Sequence, residues 1–328
     1  MSLELNPIAH EFFNIVYSQA FSPNHDFLAI SNNFGEVFAT PAYPQDDPSN
    51  CRRMRFDSNV YSLATMKNAN LLLCGSEYGL LEAFSWNQLT NNEGDSMEPK
   101  FSTNVNQREI NSICVLNNEE HFVAAYGDGN LTLHSTARPE KTLMELNGHN
   151  DQINQVVVFR QNQFLSCSSD GTVHLYDIQV GPEPVKRFNV LSNPSVSRPG
   201  HCRAILAAAV EDQFLICGGG IELAKYDLSS GTLLQIFDPP KHGNNHFNFN
   251  SIDVSGDKIG VGTSHGSVLG YSRFGHFINE IPVSYGSISN LDTFDNVNYR
   301  HQLTAASGIG SKISMIVDYG YVSYTLKA

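Results

Sequence analysis

The sequence predicts an all-β protein built as a seven-bladed β-propeller, in which seven four-stranded sheets close into a ring. Three observations lead to this fold: a composition typical of strands and turns, a glycine that recurs at a nearly constant interval, and a repeated strand pattern around that glycine. Only 16% of the 328 residues are charged, and the chain is rich in Gly, Ser, Asn, Val and aromatic residues. Helical proteins carry more Glu, Lys and Arg on their exposed faces, so this composition favours strands.

The recurring glycine sets the number of blades. Each repeat contains an apolar strand, a polar turn, a strand that runs into small residues, a tight glycine turn and an alternating strand. Successive glycines lie 42 to 50 residues apart, close to the ~40–45 residues of a four-stranded propeller blade. Seven copies fill the chain and leave no length for a second domain. The glycines are Gly35, Gly79, Gly129, Gly171, Gly220, Gly266 and Gly310.

The first strand of each copy is expected to line the central channel. These inner strands read YSQAF, YSLAT, NSICV, NQVVV, AILAA, NSIDV and ISNLD. They are small, apolar and neutral apart from Asp253 and Asp292. A propeller hydrolase would place several charged residues around the channel, so these strands argue against an enzyme.

The two ends of the chain leave ring closure open. Asn6 and Pro7, before Ile8, predict a short capped helix. A segment over 1–16 is therefore expected to precede a single propeller over 17–328. Residues 321–328, YVSYTLKA, alternate as an outer strand does. Closure could be made by this C-terminal strand alone, or the N-terminal segment could supply part of the last blade.

Blade four carries the residue pattern of a WD40 repeat. Gly148 and His149 precede its inner strand, Ser166 lies in its second strand, Asp170 and Gly171 form its turn, and Tyr176 and Asp177 stand where Trp-Asp is usual. In WD40 proteins such a His, Ser, Asp and aromatic residue form a buried hydrogen-bonded chain. We therefore predict a structural network of His149, Ser166, Asp170 and Tyr176, and no catalytic pair. The other copies are degenerate.

Composition and motif spacing exclude several classes of function. A net charge of −13 and a pI near 5.3 disfavour direct coating of a phosphate backbone. Six scattered cysteines suggest neither disulfides nor zinc. His242 and His246 lie in a Gly/Asn loop without metal-site context, and 308–312 lacks phosphate-loop spacing. The sequence thus predicts no catalytic, metal or cofactor site, no small-molecule substrate and no membrane segment, in a soluble intracellular protein.

Several segments together resemble one family of WD40 proteins, those that form subunit 6 of the THO complex. They are YSQAFSP with SNNFGEV in blade one, SRPGHCR leading to FLICGGG in blade five, and LTAAS with YGYVSYTL at the C-terminus. The resemblance implies a non-enzymatic nuclear scaffold of the TREX assembly, which supports mRNA processing, splicing and export. Its implied partners are other THO subunits, with subunit 5 the expected neighbour, and mRNA is reached through them.

The connection before blade five is the candidate partner-binding segment. It contains Ser197, Arg198, Pro199 and Arg203, and its prolines stiffen the chain on a rigid scaffold. The alternative is a crossover that binds nothing. For the whole chain the alternative function is a WD40 adaptor of another pathway, such as a ubiquitin-ligase substrate receptor. The W-D-x-R ending of such receptors is missing at Tyr176 and Tyr226.

Overall fold

In the part of the chain that the structure describes, twenty-eight strands form seven four-stranded antiparallel sheets. The computed structural model describes residues 13–44, 51–91, 97–104, 108–146, 148–240, 247–283, 286–296 and 301–328. In every sheet the four strands follow one another in sequence and pair in that order. The inner strands of neighbouring sheets contact one another all the way round, blade seven against blade one included. The prediction of a seven-bladed β-propeller is confirmed.

Within each blade the chain runs from the innermost strand to the outermost. Blades one to three comprise Val16–Phe21, Phe27–Asn32, Glu36–Pro41 and Arg53–Arg55; Val60–Met66, Leu71–Ser76, Leu80–Ser85 and Phe101–Asn104; and Ile110–Val115, His121–Tyr126, Leu131–Ser135 and Arg138–Leu146. Blades four and five comprise Ile153–Arg160, Gln163–Ser168, Thr172–Asp177 and Lys186–Asn189; and Ile205–Glu211, Phe214–Gly219, Ala224–Asp227 and Leu233–Ile236. Blades six and seven comprise Phe249–Ser255, Lys258–Thr263, Ser267–Ser272 and Phe277–Pro282; and Ile288–Asn296, His301–Gly308, Lys312–Val317 and Tyr321–Lys327.

Helices are short and lie in the connections. One α-helix, Trp86–Thr90, follows blade two's third strand, and two 3-10 helices, Val190–Ser192 and Pro194–Val196, lie between blades four and five. Across the described ranges there is no helix of the length and apolar character that crossing a membrane requires. The helix predicted near Asn6 lies outside the described residues, and the division at residue 16 stays a prediction.

The recurring glycine lies between the second and third strands, where the chain turns tightly. Gly171 has φ +82°, in the left-handed region, and a Cβ there would lie 2.1 Å from Leu191 Cδ1. Gly35 has φ +71°, and its Cβ would lie 2.9 Å from the Phe56 carbonyl oxygen. A side chain would therefore be strained in its backbone and would also clash with the neighbouring connection. Six of the seven recurring glycines have a positive φ, and Gly220 is needed for space instead, because a Cβ there would lie 2.1 Å from the Cys202 carbonyl oxygen.

Hydrophobic side chains form the core mainly between adjacent blades rather than inside one. Between blades four and five the core contains Leu165, Val173 and Leu215, all fully or almost fully buried. Sheets pack face to face in this way because each sheet is apolar on both sides, and each blade thereby needs its neighbours. The scattered cysteines Cys74, Cys167 and Cys217 belong to these layers, where burial raises the pKa of each thiol.

The ring closes through blade seven's own C-terminal strand. Tyr321–Lys327 is its outermost strand, and all four of its strands come from the end of the chain. Among the described residues before the first strand, Ile15 forms a β-bridge with Ile309, and the Asn14 carbonyl accepts a hydrogen bond from the Gly310 N–H at 2.8 Å. The contact between blades seven and one is also stabilised by the Tyr324 hydroxyl, which donates to the Ala42 carbonyl at 2.7 Å.

Polar side chains near the start of the inner strands link successive blades. The hydroxyl oxygens of Ser18, Ser62 and Ser112 each accept a hydrogen bond from an inner-strand N–H of the next blade, at 2.8 to 3.1 Å. The Gln155 side-chain oxygen does the same at 2.9 Å for the Ala208 N–H of blade five. These bonds satisfy backbone donors that would otherwise face an apolar interface. Blade five has Ala207 at the equivalent position and makes no such bond toward blade six.

Candidate protein-interaction surface

Between blades five and six, charged side chains take the place of the serine or glutamine hydrogen bond that links other neighbouring blades. Arg198 extends from the connection before blade five and donates to the Phe247 carbonyl at 2.7 Å. Its guanidinium carbon lies 5.6 Å and 5.2 Å from the ring centres of Phe247 and Phe249. On the opposite face, the buried Lys225 pairs with Glu211 and donates to a blade-six carbonyl at 3.0 Å. Both contacts hold blade five against blade six.

The structure places the four predicted partner-binding residues in two environments. Ser197, Pro199 and Arg203 are exposed, whereas Arg198 is only 8% exposed. The Arg198 guanidinium is buried against the rings of Phe247 and Phe249, so a partner could contact the other three residues but not this guanidinium. Arg198 therefore supports the loop, and the exposed part of the candidate surface consists of Ser197, Pro199 and Arg203.

The backbone around Arg203 is positioned by blade four. Its carbonyl lies 3.4 Å from where a Cβ on Gly171 would be, so the loop passes directly over that glycine turn. The Glu222 N–H donates to the Val196 carbonyl at 2.9 Å and fixes the other side of the loop to blade five. The exposed side chains thus stand on a connection that is tied to blades four, five and six.

The predicted structural residues of blade four lie in one connected group. His149 Nδ1 is 3.1 Å from Asp170 Oδ2, and His149 Nε2 is 2.7 Å from the Ser166 hydroxyl. The Ser166 hydroxyl also hydrogen bonds to the Tyr176 phenol. The Asp170 carboxylate further accepts from the Thr172 hydroxyl at 2.7 Å. The group therefore runs from the loop before the inner strand, across the second strand, to the third.

Electrostatics within this group favour a carboxylate at Asp170. Burial alone would raise the pKa of Asp170, but hydrogen bonds from His149, Thr172 and the Asn150 N–H hold it well below its usual range. His174 stacks on His149 with ring centres 3.9 Å apart. Burial, and then the neighbouring His149, lower the pKa of His174 to about 3, so this ring is neutral at physiological pH.

Asp170, His149 and Ser166 have the connectivity of a catalytic triad, but their burial prevents that chemistry. A hydrolytic serine must present its hydroxyl to a substrate and to oxyanion donors. Ser166 is fully buried within the second strand, and the His149 side chain is likewise inaccessible. No substrate can reach the Ser166 hydroxyl while the blade is folded. The hydrogen-bonded group of blade four therefore has a structural role.

Two carboxyl groups face the channel on blades six and seven. Asp253 accepts a hydrogen bond from the Tyr319 hydroxyl at 2.8 Å, and that hydroxyl is 3.0 Å from the Thr293 hydroxyl. Burial raises the pKa of Asp253. Burial, and then the charge of Asp253, raise the pKa of Asp292 to about 7. The ring of Tyr319 packs directly against Gly260 on its way to Asp253, and a Cβ on Gly260 would lie 2.0 Å from the ring.

The glycine-rich segment near the C-terminus and the histidines considered as metal ligands complete the list of candidate sites. Residues 309–311 connect the second and third strands of blade seven, and Gly308 and Lys312 end and begin those strands, as the glycine spacing predicts. His242 and His246 lie outside the described residues. Within the described part of the chain there is no group of three or more His, Cys, Asp or Glu side chains that could hold a metal ion.

The polar links between blades were missed by sequence reasoning, although a signal was present. Four of the seven inner strands carry serine at the same position and a fifth carries Gln155; three of these serines and Gln155 make the link. A polar residue repeated at one register of otherwise apolar strands indicates a repeated bonding role. The role of Arg198 had no such signal, because its aromatic partners lie about fifty residues further along the chain.

Comparison with known proteins gives matches of two kinds. A sequence profile described as WD domain, G-beta repeat matches residues 140–177. Among solved structures, the WD40 β-propeller domain of Doa1 superposes with a TM-score of 0.70 at 16% identity, over 93% of this chain and 92% of that one. The profile match covers the outermost strand of blade three and the first three strands of blade four, where the pattern is clearest, and the superposition extends over 93% of the chain.

Three relatives match over most of the chain. The THO complex subunit 6 homolog of Danio rerio is 26% identical over 95% of this chain and 96% of its own length. THO complex subunit 6 of Homo sapiens is 28% identical over 69% of this chain and 70% of its own. The Drosophila melanogaster protein of the same name is 25% identical over 83% and 78%. These matches confirm the predicted resemblance to the subunit 6 proteins of the THO complex.

Proposed function

Taking the chain as a WD40 relative of the THO complex subunit 6 proteins, we propose that it is a scaffold subunit of a THO complex. The observation that carries this proposal is the extent of the similarity: it spans 95% of the chain, whereas the general WD40 profile matches only residues 140–177. A shared propeller alone would not align seven degenerate blades in order with one kind of protein. The similarity therefore supports a common role as well as a common fold.

In this role the chain acts through protein contacts, in the nucleus, within the TREX assembly that supports mRNA processing and export. The net charge of −13 supports this assignment, because a surface that binds RNA directly needs clustered Lys and Arg to neutralise phosphates. RNA is then contacted by partner subunits. Subunit 5 of the THO complex is the neighbour that we propose for this chain.

The docking surface that we propose is the exposed part of the loop before blade five. Ser197, Pro199 and Arg203 are exposed there, and the loop is tied down on both sides by blade contacts. A rigid loop loses little conformational freedom on binding, so more of its contact energy appears as affinity. Arginine is also enriched at protein interfaces.

Affinity purification from nuclear extract tests both parts of the proposal. The tagged full chain is expected to recover THO subunits, with subunit 5 prominent, when the bound proteins are quantified by mass spectrometry. Recovery of ubiquitin-ligase components in place of THO subunits would contradict the scaffold assignment.

A charge-reversing variant tests the surface separately. Arg203→Glu is expected to reduce recovery of THO subunits, whereas the matched control Arg160→Glu, exposed on the opposite face of blade four, is expected to leave it unchanged. If both variants recover THO subunits as the parent chain does, the loop is not the docking surface and the scaffold assignment is unaffected.

A further inference from the structure

The outermost strand of blade one is incomplete. The third strand of this blade runs over Glu36–Pro41, but the fourth strand, Arg53–Arg55, pairs only with the first three of its residues. In the other six blades, the residue four positions after the recurring glycine pairs with the outermost strand. These paired residues are Ala83, Leu133, Leu175, Ala224, Gly270 and Ser314. The equivalent residue of blade one, Ala39, has no such pair among the described residues.

A helix of blade two explains why the fourth strand of blade one stops early. Phe38 pairs with Arg53, so Arg52 is next in register and would pair with Ala39. The Arg52 N–H instead donates to the Leu89 carbonyl at 2.8 Å, in the helix that follows blade two's third strand. The chain therefore leaves the sheet of blade one at Arg52, and the fourth strand does not cover the third strand beyond Phe38.

The alternation of hydrogen bonds shows which backbone groups of this edge point outward. In an antiparallel sheet, successive residues of a strand bond alternately to the two neighbouring strands. The Ala42 N–H donates at 2.8 Å to the Asp26 carbonyl, on the side of the second strand. The Gly35 carbonyl accepts at 2.8 Å from the Phe56 N–H, on the side of the fourth strand. Odd-numbered residues therefore bond outward, and Ala39 points its N–H and its carbonyl away from the second strand.

Three of these outward groups are left without a partner. Within the described part of the chain, no backbone hydrogen bond on this side is made by the Ala39 N–H, the Ala39 carbonyl or the Pro41 carbonyl. An uncovered strand edge is a template for pairing with another extended segment. One donor and two acceptors at strand spacing match the N–H and carbonyl groups of such a segment.

The uncovered edge borders a groove between blades one and seven, which we call the blade-one groove. Its volume is about 480 Å³, within the ~300–1,000 Å³ of ligand sites. Ala39 and Pro41 line the groove, together with residues 325–328 at the end of blade seven. Ala39 is 3% exposed overall, and its methyl group packs into the core between blades one and two. Its backbone is therefore approached from the groove. Residues 45–50 lie outside the described residues.

The blade-one groove is positively charged in a chain whose net charge is −13. The described residues that line it include Arg52, Arg53 and Lys327 but no Asp or Glu. Two carboxylates accompany these cations. One belongs to Glu36, which pairs with Arg53, and the other to the last residue, Ala328, which lines the groove. Three cations against two carboxylates leave the groove positive, so it favours an acidic segment over a basic one.

Arg53 presents its guanidinium at the wall of the blade-one groove. Its cross-strand partner Phe38 packs into the core between blades seven and one, and cross-strand partners point to the same face of a sheet. The guanidinium carbon lies 4.3 Å from the centre of the Phe38 ring, and Nη1 donates to Glu36 at 2.8 Å. The Arg53 side chain is 52% exposed, so its remaining N–H donors can bind a carboxylate of a partner.

We propose that the blade-one groove binds an extended acidic segment of a partner protein, which adds to blade one as the missing part of its fourth strand. The segment donates to the Ala39 and Pro41 carbonyls and accepts from the Ala39 N–H, while one of its carboxylates pairs with Arg53. Main-chain hydrogen bonds supply affinity in this mode of binding, and the carboxylate supplies the preference for an acidic sequence. The groove is separate from the blade-five loop, so it depends neither on the docking surface nor on the scaffold assignment proposed above.

Binding of short peptides to the full-length chain tests this inference. The probes are acetyl-Thr-Val-Asp-Val-Thr-amide, its counterpart with lysine in place of aspartate, and its fully N-methylated counterpart, whose backbone has no N–H donor. Isothermal titration should show one site for the acidic peptide and an affinity at least about fivefold weaker for each counterpart. Equal affinity for the acidic peptide and either counterpart, or no binding of the acidic peptide at millimolar concentration, would overturn the proposal.

Amide hydrogen exchange, measured by NMR on the parent chain, locates the bound peptide. The Ala39 N–H should exchange at least about fivefold more slowly when the acidic peptide is saturating, because this N–H gains an acceptor. Leu175 is the matched internal control, since it is the equivalent residue of blade four and already pairs with Lys186. Its exchange should not change. Unchanged exchange at Ala39 with the peptide bound would refute strand addition.

Variants test the charged contact. Arg53→Gln should weaken binding of the acidic peptide by about threefold or more. Arg55→Gln is the matched control and should bind as the parent chain does, because Arg55 is exposed on the same strand but is not among the described residues that line the groove. Melting temperatures identify a variant that fails to fold, and hydrogen exchange on the parent chain keeps the test decisive in that case. Unchanged affinity in a folded Arg53→Gln protein, or equal weakening by both variants, would contradict the pairing with Arg53.

Sedimentation equilibrium distinguishes a partner protein from a second copy of this chain. The parent chain alone should sediment as a monomer, with the blade-one groove available to the peptide. Self-association that the acidic peptide reverses would assign the groove to a second copy and overturn the proposed partner.

Discussion

Replacing Asp292 by asparagine should stabilise the propeller at neutral and alkaline pH and leave its stability almost unchanged in acid. The pKa of about 7 for Asp292 lies about 3 units above the ~3.9 of an unfolded aspartate. Between about pH 4 and pH 7 the folded chain therefore keeps a proton that the unfolded chain has released. This group makes the free energy of unfolding fall as pH rises through that window.

The structure sets the size of the effect. Each pKa unit corresponds to ~1.36 kcal/mol, so the ionised Asp292 side chain lowers the free energy of unfolding by up to about 4 kcal/mol above pH 7. The side chain is only half-buried in the channel wall, and solvent screening reduces this figure, so we expect about 1–3 kcal/mol. With an unfolding entropy of ~2.1 cal/mol/K per residue, this corresponds to a rise in melting temperature of roughly 1.5–4 °C.

Thermal melts of Asp292→Asn and the parent chain at about pH 5 and about pH 8 measure this directly. The difference in melting temperature should be larger at the higher pH. Asp257→Asn, an exposed carboxyl on a turn of blade six, is the matched control and should show no such difference. A variant that melts at or below the parent temperature at about pH 8, or that keeps the parent's pH dependence, would refute the electrostatic reasoning.

Three further substitutions have expected outcomes that thermal or denaturant unfolding can check. Arg198→Met should lower the free energy of unfolding by about 2–3 kcal/mol, because the Phe247 carbonyl loses a charged donor. An unchanged free energy of unfolding would contradict the role of Arg198 in holding blade five against blade six. His149→Ala should destabilise by about 3 kcal/mol, because it leaves a buried carboxylate and hydroxyl without their partner; full stability would mean that the blade-four network is dispensable. Gly260→Ala should cost at least about 2 kcal/mol, but much less when combined with Tyr319→Ala, which removes the clashing ring; simple additivity of the two would refute that contact.

Local patterns were sufficient to predict the blades because each blade repeats the same local requirement. The turn at Gly171 needs a left-handed residue without a Cβ, and six of the seven recurring glycines have a positive φ. The inner strands were also identified correctly, since small apolar residues at the channel are a local property of each copy. Composition and spacing carry such information without any knowledge of distant contacts.

Features that depend on distant contacts could not be predicted in the same way. Ring closure depends on how blade seven packs against blade one, and residues that meet there, such as Ile15 and Ile309, are separated by almost the whole chain. Arg198 lies in a polar loop, where an exposed side chain is the ordinary expectation, and only the aromatic residues Phe247 and Phe249 make its burial favourable. The central channel is lined by inner-strand residues from every blade, so its character emerged only when the ring was assembled.

Sedimentation of native nuclear extract through a glycerol gradient tests the central claim most directly. The chain itself has a mass of 36.2 kDa. If it is a THO scaffold, antibodies should find it in fractions of far greater mass, together with other THO subunits, and salt that dissociates the complex should release it to the position of a monomer. Migration at about its own mass in mild buffer, or with proteins other than THO subunits, would contradict the account.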